Sequence, residues 1–228
     1  MKFQPKALFF DWDHTIWDHD LNAKEVLLEL FEEFQLIKPD RFEEAFQTFH
    51  QINDQLWDQY QAGEISQHAL RETRFIEYFS ALKVEGDVQQ FSAEYLYRTP
   101  RKTHLMPGAS EMIALLSSKY PLYILTNGFD DIQYVKVEGS GIGHHFQQLI
   151  TSQQVGTKKP DARFFEYALQ QANCQAKEVL MIGDHLVADV QGAENAGITA
   201  IHLDVKAENL AKRKIGQLNE LVHFIHLD

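Results

Sequence analysis

Ala7-Leu8-Phe9-Phe10-Asp11-Trp12-Asp13-His14-Thr15 is the stretch on which the fold turns: four apolar residues in a row that stop abruptly at two acids spaced i, i+2. A run apolar at every position, rather than at every second one, predicts a strand covered on both faces, as strands of parallel sheets are. Leu122-Tyr123-Ile124-Leu125, Val179-Leu180-Met181-Ile182 and Thr199-Ala200-Ile201-His202-Leu203 repeat the pattern. A helix is predicted around Glu111 to Ser117, with further helices between the second and third of these strands. Strands that alternate with helices predict an α/β fold: a doubly wound, Rossmann-like parallel sheet with helices on both faces.

Between the first strand and the rest the texture differs. Apolar residues recur at helical spacing at Leu27, Phe31 and Phe34, at Phe42, Phe46, Phe49, Leu56 and Tyr60, at Leu70, Phe75 and Phe79, and at Phe91 and Tyr95. Four helices without strands are predicted. Asn22 with Glu25, Asp40 with Glu43, and Ser66 are the expected starts of the first three, and Pro39, Gly63, Gly86 and Pro100 mark breaks. The expected organisation is a core of residues 1–16 and 104–228 with an all-helical insert over 17–103. Such an insert reads as a lid over the carboxyl ends of the strands, where open parallel sheets bind ligands.

Composition narrows the function. The 228 residues are 44% hydrophobic and 24% charged, the balance of a globular chain rather than a disordered one. A formal net charge of −12 disfavours a nucleic-acid polymer as partner, since phosphate-backbone binding needs a basic face. No apolar run reaches the roughly 20 residues of a membrane helix, and the single cysteine, Cys174, can form no disulfide within the chain. A cytoplasmic protein acting on a small molecule is expected, with its oligomeric state left open.

Four polar clusters follow the apolar segments. Asp11 and Asp13 end the first strand; Thr126-Asn127-Gly128 ends the second, where a hydroxyl and backbone N–H groups beside a glycine can hold phosphate oxygens. Lys158-Lys159-Pro160-Asp161 reads as a helix start, with Pro160 in the first turn and Lys159 at the N-terminus, against the macrodipole preference and so suggestive of an anion to neutralise. Gly183-Asp184, with Asp189 following, places acids at a third strand end. Carboxylates at buried strand ends are costly unless paired or metal-bound, and two such pairs can cage a hard cation such as magnesium.

In this order the clusters resemble the motifs of the haloacid-dehalogenase superfamily, here DWDHT, TNG, KKPD and GDHLVAD. A closer resemblance, to its pyrimidine 5'-nucleotidase branch, rests on Asn53 to Gly63 (NDQLWDQYQAG), on Leu125-Thr126-Asn127-Gly128-Phe129, and on Val155-Gly156 through Pro160 with Phe165-Glu166-Tyr167-Ala168-Leu169. The resemblance implies a Rossmann-like core, a helical cap inserted after the first motif, and hydrolysis of a phosphomonoester through an aspartyl-phosphate. It implies Asp11 as nucleophile, Asp13 as general acid and base, and Mg²⁺ on Asp11, the backbone carbonyl of Asp13 and Asp184, with Asp189 behind them orienting Lys159 or a metal water. Thr126 and the Asn127 N–H would bind the phosphoryl group and Lys159 would offset its charge. His14 stands where the family commonly has a small residue, and is expected to pack rather than to bind.

In the insert, Phe46, Phe49 and Tyr60 are expected to be buried, and Trp57 with Asn53 to face substrate, a stacking ring beside a polar amide. His144-His145, His223 and His226 lack a carboxylate partner in a zinc pattern, and Cys174 lacks an activating neighbour. A dehalogenase would not need Asp13; a sugar phosphatase or phosphomutase would share the core motifs and differ in the insert; an inactive binding module would not need the full acid and lysine set.

Overall fold

The computed structural model describes residues 2–205 and 213–227. Its contacts divide the chain into two compact units, residues 1–19 with 102–228, and residues 20–101.

The first unit opens with strand β1 (Ala7–Phe10). The chain then enters the second unit: α1 (His19–Phe34), α2 (Phe42–Ala62), α3 (Gln67–Leu82) and α4 (Val88–Arg98). It returns through α5 (Ala109–Ser117), β2 (Leu122–Thr126), α6 (Asp130–Gly139), β3 (Phe146–Thr151), the one-turn α7 (Ser152–Val155), α8 (Ala162–Ala172), β4 (Val179–Gly183), a π-helical turn (Leu186–Gln191) that runs into α9 (Gly192–Asn195), β5 (Thr199–Leu203) and β6 (Lys214–Ile215). The six strands form one sheet in the order β3-β2-β1-β4-β5-β6, parallel at every pairing. This is the doubly wound architecture expected, with β1 and β4 flanking the point where the strand order reverses.

The apolar runs have the expected cause. Leu8, Phe10, Ile124, Leu180 and Ile182 pack on one face with Met112, Ile113 and Leu116 of α5. Ala7, Phe9, Leu125, Val179 and Met181 pack on the other with Phe164, Phe165 and Ala168 of α8. Both faces are covered, so both sets of alternating positions in these runs are apolar.

Two strands were not foreseen. β3, at the sheet edge, begins with the partly exposed Phe146-Gln147-Gln148, which masks it as loop or helix, and β6 at the other edge has only two residues. An edge strand has a neighbour on one side only, so its sequence is under weaker demand for a continuous apolar run.

In the helical unit Phe75 meets Phe49, Tyr78, Phe91 and Tyr95 at ring-centroid distances of 5.0 to 6.2 Å. Ser66 caps α3 by accepting from the Ala69 N–H, and Asp87 caps α4 by accepting from the Gln90 N–H. The first two helices start elsewhere than expected: α1 begins at His19, so Asn22 is inside it and buried, and α2 begins at Phe42 after a 3₁₀ turn over Pro39–Arg41 that absorbs Asp40. Phe46 and Phe49 are buried as expected, whereas Tyr60 is half-buried and edge-on to Trp57. No described helix is long and apolar enough to cross a membrane.

Candidate active site

The carboxyl ends of β1, β2 and β4 hold the polar clusters. Asp11 follows β1 directly, its N–H donating to Ile182 O of β4 at 2.9 Å. The chain beyond it coils tightly: Trp12 O accepts from the N–H groups of Thr15, Ile16 and Trp17 at 3.3, 2.9 and 2.9 Å. The coil buries both tryptophans and turns Thr15 back so that its hydroxyl donates to Asp184 Oδ1 at 3.0 Å. His14 takes the left-handed conformation, φ 62°, in which histidine is enriched among non-glycine residues, and its ring lies 4.9 Å from that of His19.

Lys159 is the hub. Its buried Nζ donates to Asp11 Oδ1 at 2.7 Å, to Asp189 Oδ1 at 2.6 Å and to Leu125 O at 2.6 Å, which uses all three ammonium hydrogens. Lys159 does not stand at the N-terminus of a helix, contrary to expectation. α8 starts at Ala162 with Asp161 as its cap, and Pro160 lies outside it. Position comes instead from Asn127, whose Oδ1 accepts from the Lys159 N–H and whose Nδ2 donates to Lys159 O, both at 2.9 Å. Thr126 Oγ1 accepts from the Gly128 N–H at 3.0 Å.

Asp189, on the π-helical turn, also accepts from the His185 N–H at 3.0 Å, while His185 Nδ1 accepts from the N–H groups of Val187 and Ala188 and so caps that turn. A methyl group on Gly183 would lie 2.4 Å from Asp189 Oδ2, so only glycine lets the acid approach the strand end.

Asp11, Asp184 and Asp189 each offer a carboxylate oxygen within 4.8 Å of the others. Burial, then the Asp189 and Asp13 charges, push the Asp11 carboxyl up from 3.8 to about 7 against the pull of Lys159. Burial, followed by the charges of Asp11 and Asp189, raises Asp184 well above the ordinary carboxylate range. The same charges raise Lys159 in spite of its burial. Asp13 is different: burial pushes it up, but Lys136 and His19 outweigh burial and hold it at about 2.

A stability prediction follows from these directions. Between pH 4 and pH 7 the folded metal-free protein retains a proton on Asp11 that the unfolded chain has lost, so the native state binds more protons and stability falls as pH rises through that window. Asp13, shifted the other way, loses its contribution only on acidification below about 4. The urea midpoint of the metal-free wild type is expected to fall between pH 5 and pH 8 more steeply than that of Asp11→Asn; parallel profiles would show that Asp11 is not the group responsible.

The sequence reading missed three participants. Thr15 lies within the quoted DWDHT motif, four residues after Asp11, but was given no role. Gln133 Nε2 and Lys136 Nζ donate to Asp13 Oδ2 and Oδ1 at 2.6 and 2.5 Å. Their i, i+3 spacing on one face of α6 is the signal that could have found them. In the helical unit, Asn53 is buried on α2 and its Oδ1 accepts from Arg74 Nη1 of α3 at 3.3 Å, while Trp57, one turn on, is half-buried.

A family model of haloacid dehalogenase-like hydrolases matches residues 5–197, from the first strand through the last acidic motif. The chain belongs to this family. The pyrimidine 5'-nucleotidase PynA of Streptococcus pneumoniae is 34% identical over 198 residues, 86% of this chain and 82% of that one. The glyceraldehyde 3-phosphate phosphatase of Methanothermobacter thermautotrophicus is 31% identical over 200 residues, 86% of this chain and 84% of that one. Among solved structures, the HAD-hydrolase YfnB of Bacillus subtilis, bound to magnesium, superimposes with a TM-score of 0.86 at 28% identity, covering 96% of this chain and 98% of that one.

Proposed function

We propose that the protein is a magnesium-dependent phosphomonoesterase that works through an aspartyl-phosphate on Asp11, with pyrimidine nucleoside 5'-monophosphates, deoxy forms included, as substrates. The observation that carries the chemistry is the gathering of Asp11, Asp184 and Asp189 within 4.8 Å of one another, with the Lys159 ammonium paired to Asp11 and Asp189. Three carboxylates lie against one cation, burial first and then the neighbouring acid charges raise Asp11 and Asp184, and an all-oxygen donor set of this kind suits a hard divalent ion.

We assign Mg²⁺ to Asp11, Asp184 and the backbone carbonyl of Asp13, with Asp189 directed to Lys159. When bound, the ion supplies positive charge where the phosphoryl group develops negative charge. The Thr126 hydroxyl and Asn127 N–H hold phosphoryl oxygens, and Lys159 offsets their charge, which is the stabilisation phosphoryl transfer most needs. An Asp11 oxygen bonds to phosphorus as the ester P–O bond breaks, and Asp13, unprotonated in the free protein beside Lys136, takes up a proton as substrate binds and passes it to the leaving alkoxide. Asp13 then takes a proton from water as the water oxygen bonds to phosphorus and the Asp11 O–P bond breaks. A half-buried lone cysteine and the absence of a membrane-length helix among the described residues suit a cytoplasmic enzyme.

The base preference rests on the Asn53–Gly63 stretch and on the likeness to PynA; the likeness to a triose phosphatase at nearly equal identity makes the substrate the point to test. We assign Trp57 to the base ring and the amide Nδ2 of Asn53, whose carbonyl is taken by Arg74, to its polar edge. Phosphate release should be compared for deoxyuridine monophosphate, hexose phosphates and triose phosphates, each with magnesium and with EDTA. The nucleotide is expected to have the highest kcat/KM, all activity to vanish in EDTA, and Trp57→Ala to lower the nucleotide preference about 5-fold or more. Sugar phosphates winning in the wild type would refute the nucleotidase reading and spare the phosphatase reading; an unchanged preference in Trp57→Ala would refute the stacking role.

A further inference from the structure

We propose that Lys136 and Gln133 of α6 are positioning residues that hold the Asp13 carboxylate for the second half of the reaction, the hydrolysis of the aspartyl-phosphate. The proposal rests on the two-step phosphatase reading. Its motive is the way three separate features converge on one side chain. Lys136 is 4% exposed, its Nζ reaches Asp13 Oδ1 at 2.5 Å, and the ring of the fully buried Trp17 lies 4.0 Å below that ammonium. Trp17 is fixed in turn, its Nε1 donating to Lys102 O at 3.1 Å. The lysine therefore has a carboxylate on one side and an aromatic face on another, and little freedom to swing away.

Gln133 approaches the other oxygen. Its Nε2 donates to Asp13 Oδ2 at 2.6 Å, while its Oε1 is buried without a hydrogen-bond donor. Turning the amide over would aim Oε1 at the carboxylate, so the observed orientation favours Asp13 at the expense of the glutamine's own acceptor. The third feature is Gly128. A methyl group there would lie 2.0 Å from Gln133 Nε2 and 2.7 Å from its Cδ. The glycine of the TNG segment thus leaves room for Gln133 to pass over the backbone to Asp13. Each Asp13 oxygen is taken by a different donor from a single helix, which fixes the position and the tilt of the carboxylate plane.

A carboxylate held between an ammonium and an amide stays unprotonated and fixed in place, the form that can receive a proton from a water brought up to it. In the hydrolytic step that proton comes from water as its oxygen bonds to phosphorus and the Asp11 O–P bond breaks, which releases inorganic phosphate. The step depends on distance and angle, and misplacement of a catalytic group by about 1 Å can cost on the order of 10²-fold.

p-Nitrophenyl phosphate isolates the step, because its leaving group departs without a proton. In rapid-mixing experiments with magnesium, Lys136→Met is expected to release the first equivalent of p-nitrophenol per site at close to the wild-type rate and then to continue about 10²-fold more slowly. Gln133→Leu, which leaves the ion pair in place, is expected to show the same burst with a smaller steady-state loss. Combined with Asp13→Asn, Lys136→Met should add no more than about twofold to the loss from Asp13→Asn alone, because residues that act through one another are not additive. A uniform slowing without a burst in both single variants, or losses that multiply in the double variant, would overturn the proposal and assign the pair a merely structural role. A wild type that does not turn over p-nitrophenyl phosphate would overturn the phosphatase reading and this proposal with it.

Discussion

Asp11→Asn is expected to abolish phosphate release while the protein remains folded. The amide matches the carboxylate in size but cannot bond to phosphorus as a nucleophile and is a poorer ligand for a hard cation. Loss of a nucleophile elsewhere costs several orders of magnitude, so a fall of about 10⁴-fold or more is expected here. The cost to stability should be small at neutral pH, since burial already places Asp11 at about 7 and the substitution removes one of three crowded acids. Lys159 loses one charged partner, though the amide Oδ1 can still accept, and keeps Asp189 and Leu125 O. Single-turnover phosphate release and a thermal melt check both halves. Near wild-type turnover would move the nucleophile elsewhere.

Lys159→Met is expected to damage both activity and stability. The substitution retains an apolar stem of similar length, so the effect isolates the ammonium. Removing one preorganised charge from a phosphoryl site costs roughly 10²- to 10³-fold in kcat. Removing one partner of a buried ion pair costs about 3 to 5 kcal/mol, because the remaining charge stays buried. Here Asp11 and Asp189 both lose their cation. Asp11, already raised by burial, is pushed further up, so the folded variant binds protons that the unfolded chain has released, and its stability falls as pH rises. Urea unfolding at pH 5.5 and pH 8 should therefore show the larger deficit at pH 8. A deficit larger at pH 5.5 would mean that the acids are compensated by another group.

What was legible in the sequence follows from how strongly each position is constrained. β1, β2, β4 and β5 stand out because both of their faces are covered, which leaves apolar residues at nearly every position, the buried His202 of β5 being bonded to Asp184 O. β3 and β6, at the edges, carry no such signature. The acids after β1 and β4 are conspicuous because a carboxylate at the end of an apolar run needs a partner. The identity of that partner is harder to read: Lys159 lies 148 positions from Asp11 and reaches it through a loop held by Asn127, not through the helix start that Pro160 suggested. Gln133 and Lys136, whose shared face of α6 is the one signal they carry, are easily passed over for the opposite reason. On a short helix of mixed polarity, polar residues read as a solvated face, and only the folded chain shows that both are buried. Asn53 reads as a polar residue available to a ligand, yet its carbonyl is already engaged by Arg74.

The grip of Asn127 on Lys159 has a consequence for durability. An asparagine followed by glycine is the pair most prone to age chemically, because the unhindered glycine nitrogen can close on the side-chain carbonyl and expel ammonia, leaving an acid behind. In this fold the three groups that would have to move are all occupied: Asn127 Oδ1 and Nδ2 are bonded to the Lys159 backbone, and the Gly128 N–H is bonded to Thr126. Ring closure must break all of these bonds first. The contacts that place the lysine thus also act as a preservative for the residue that makes them.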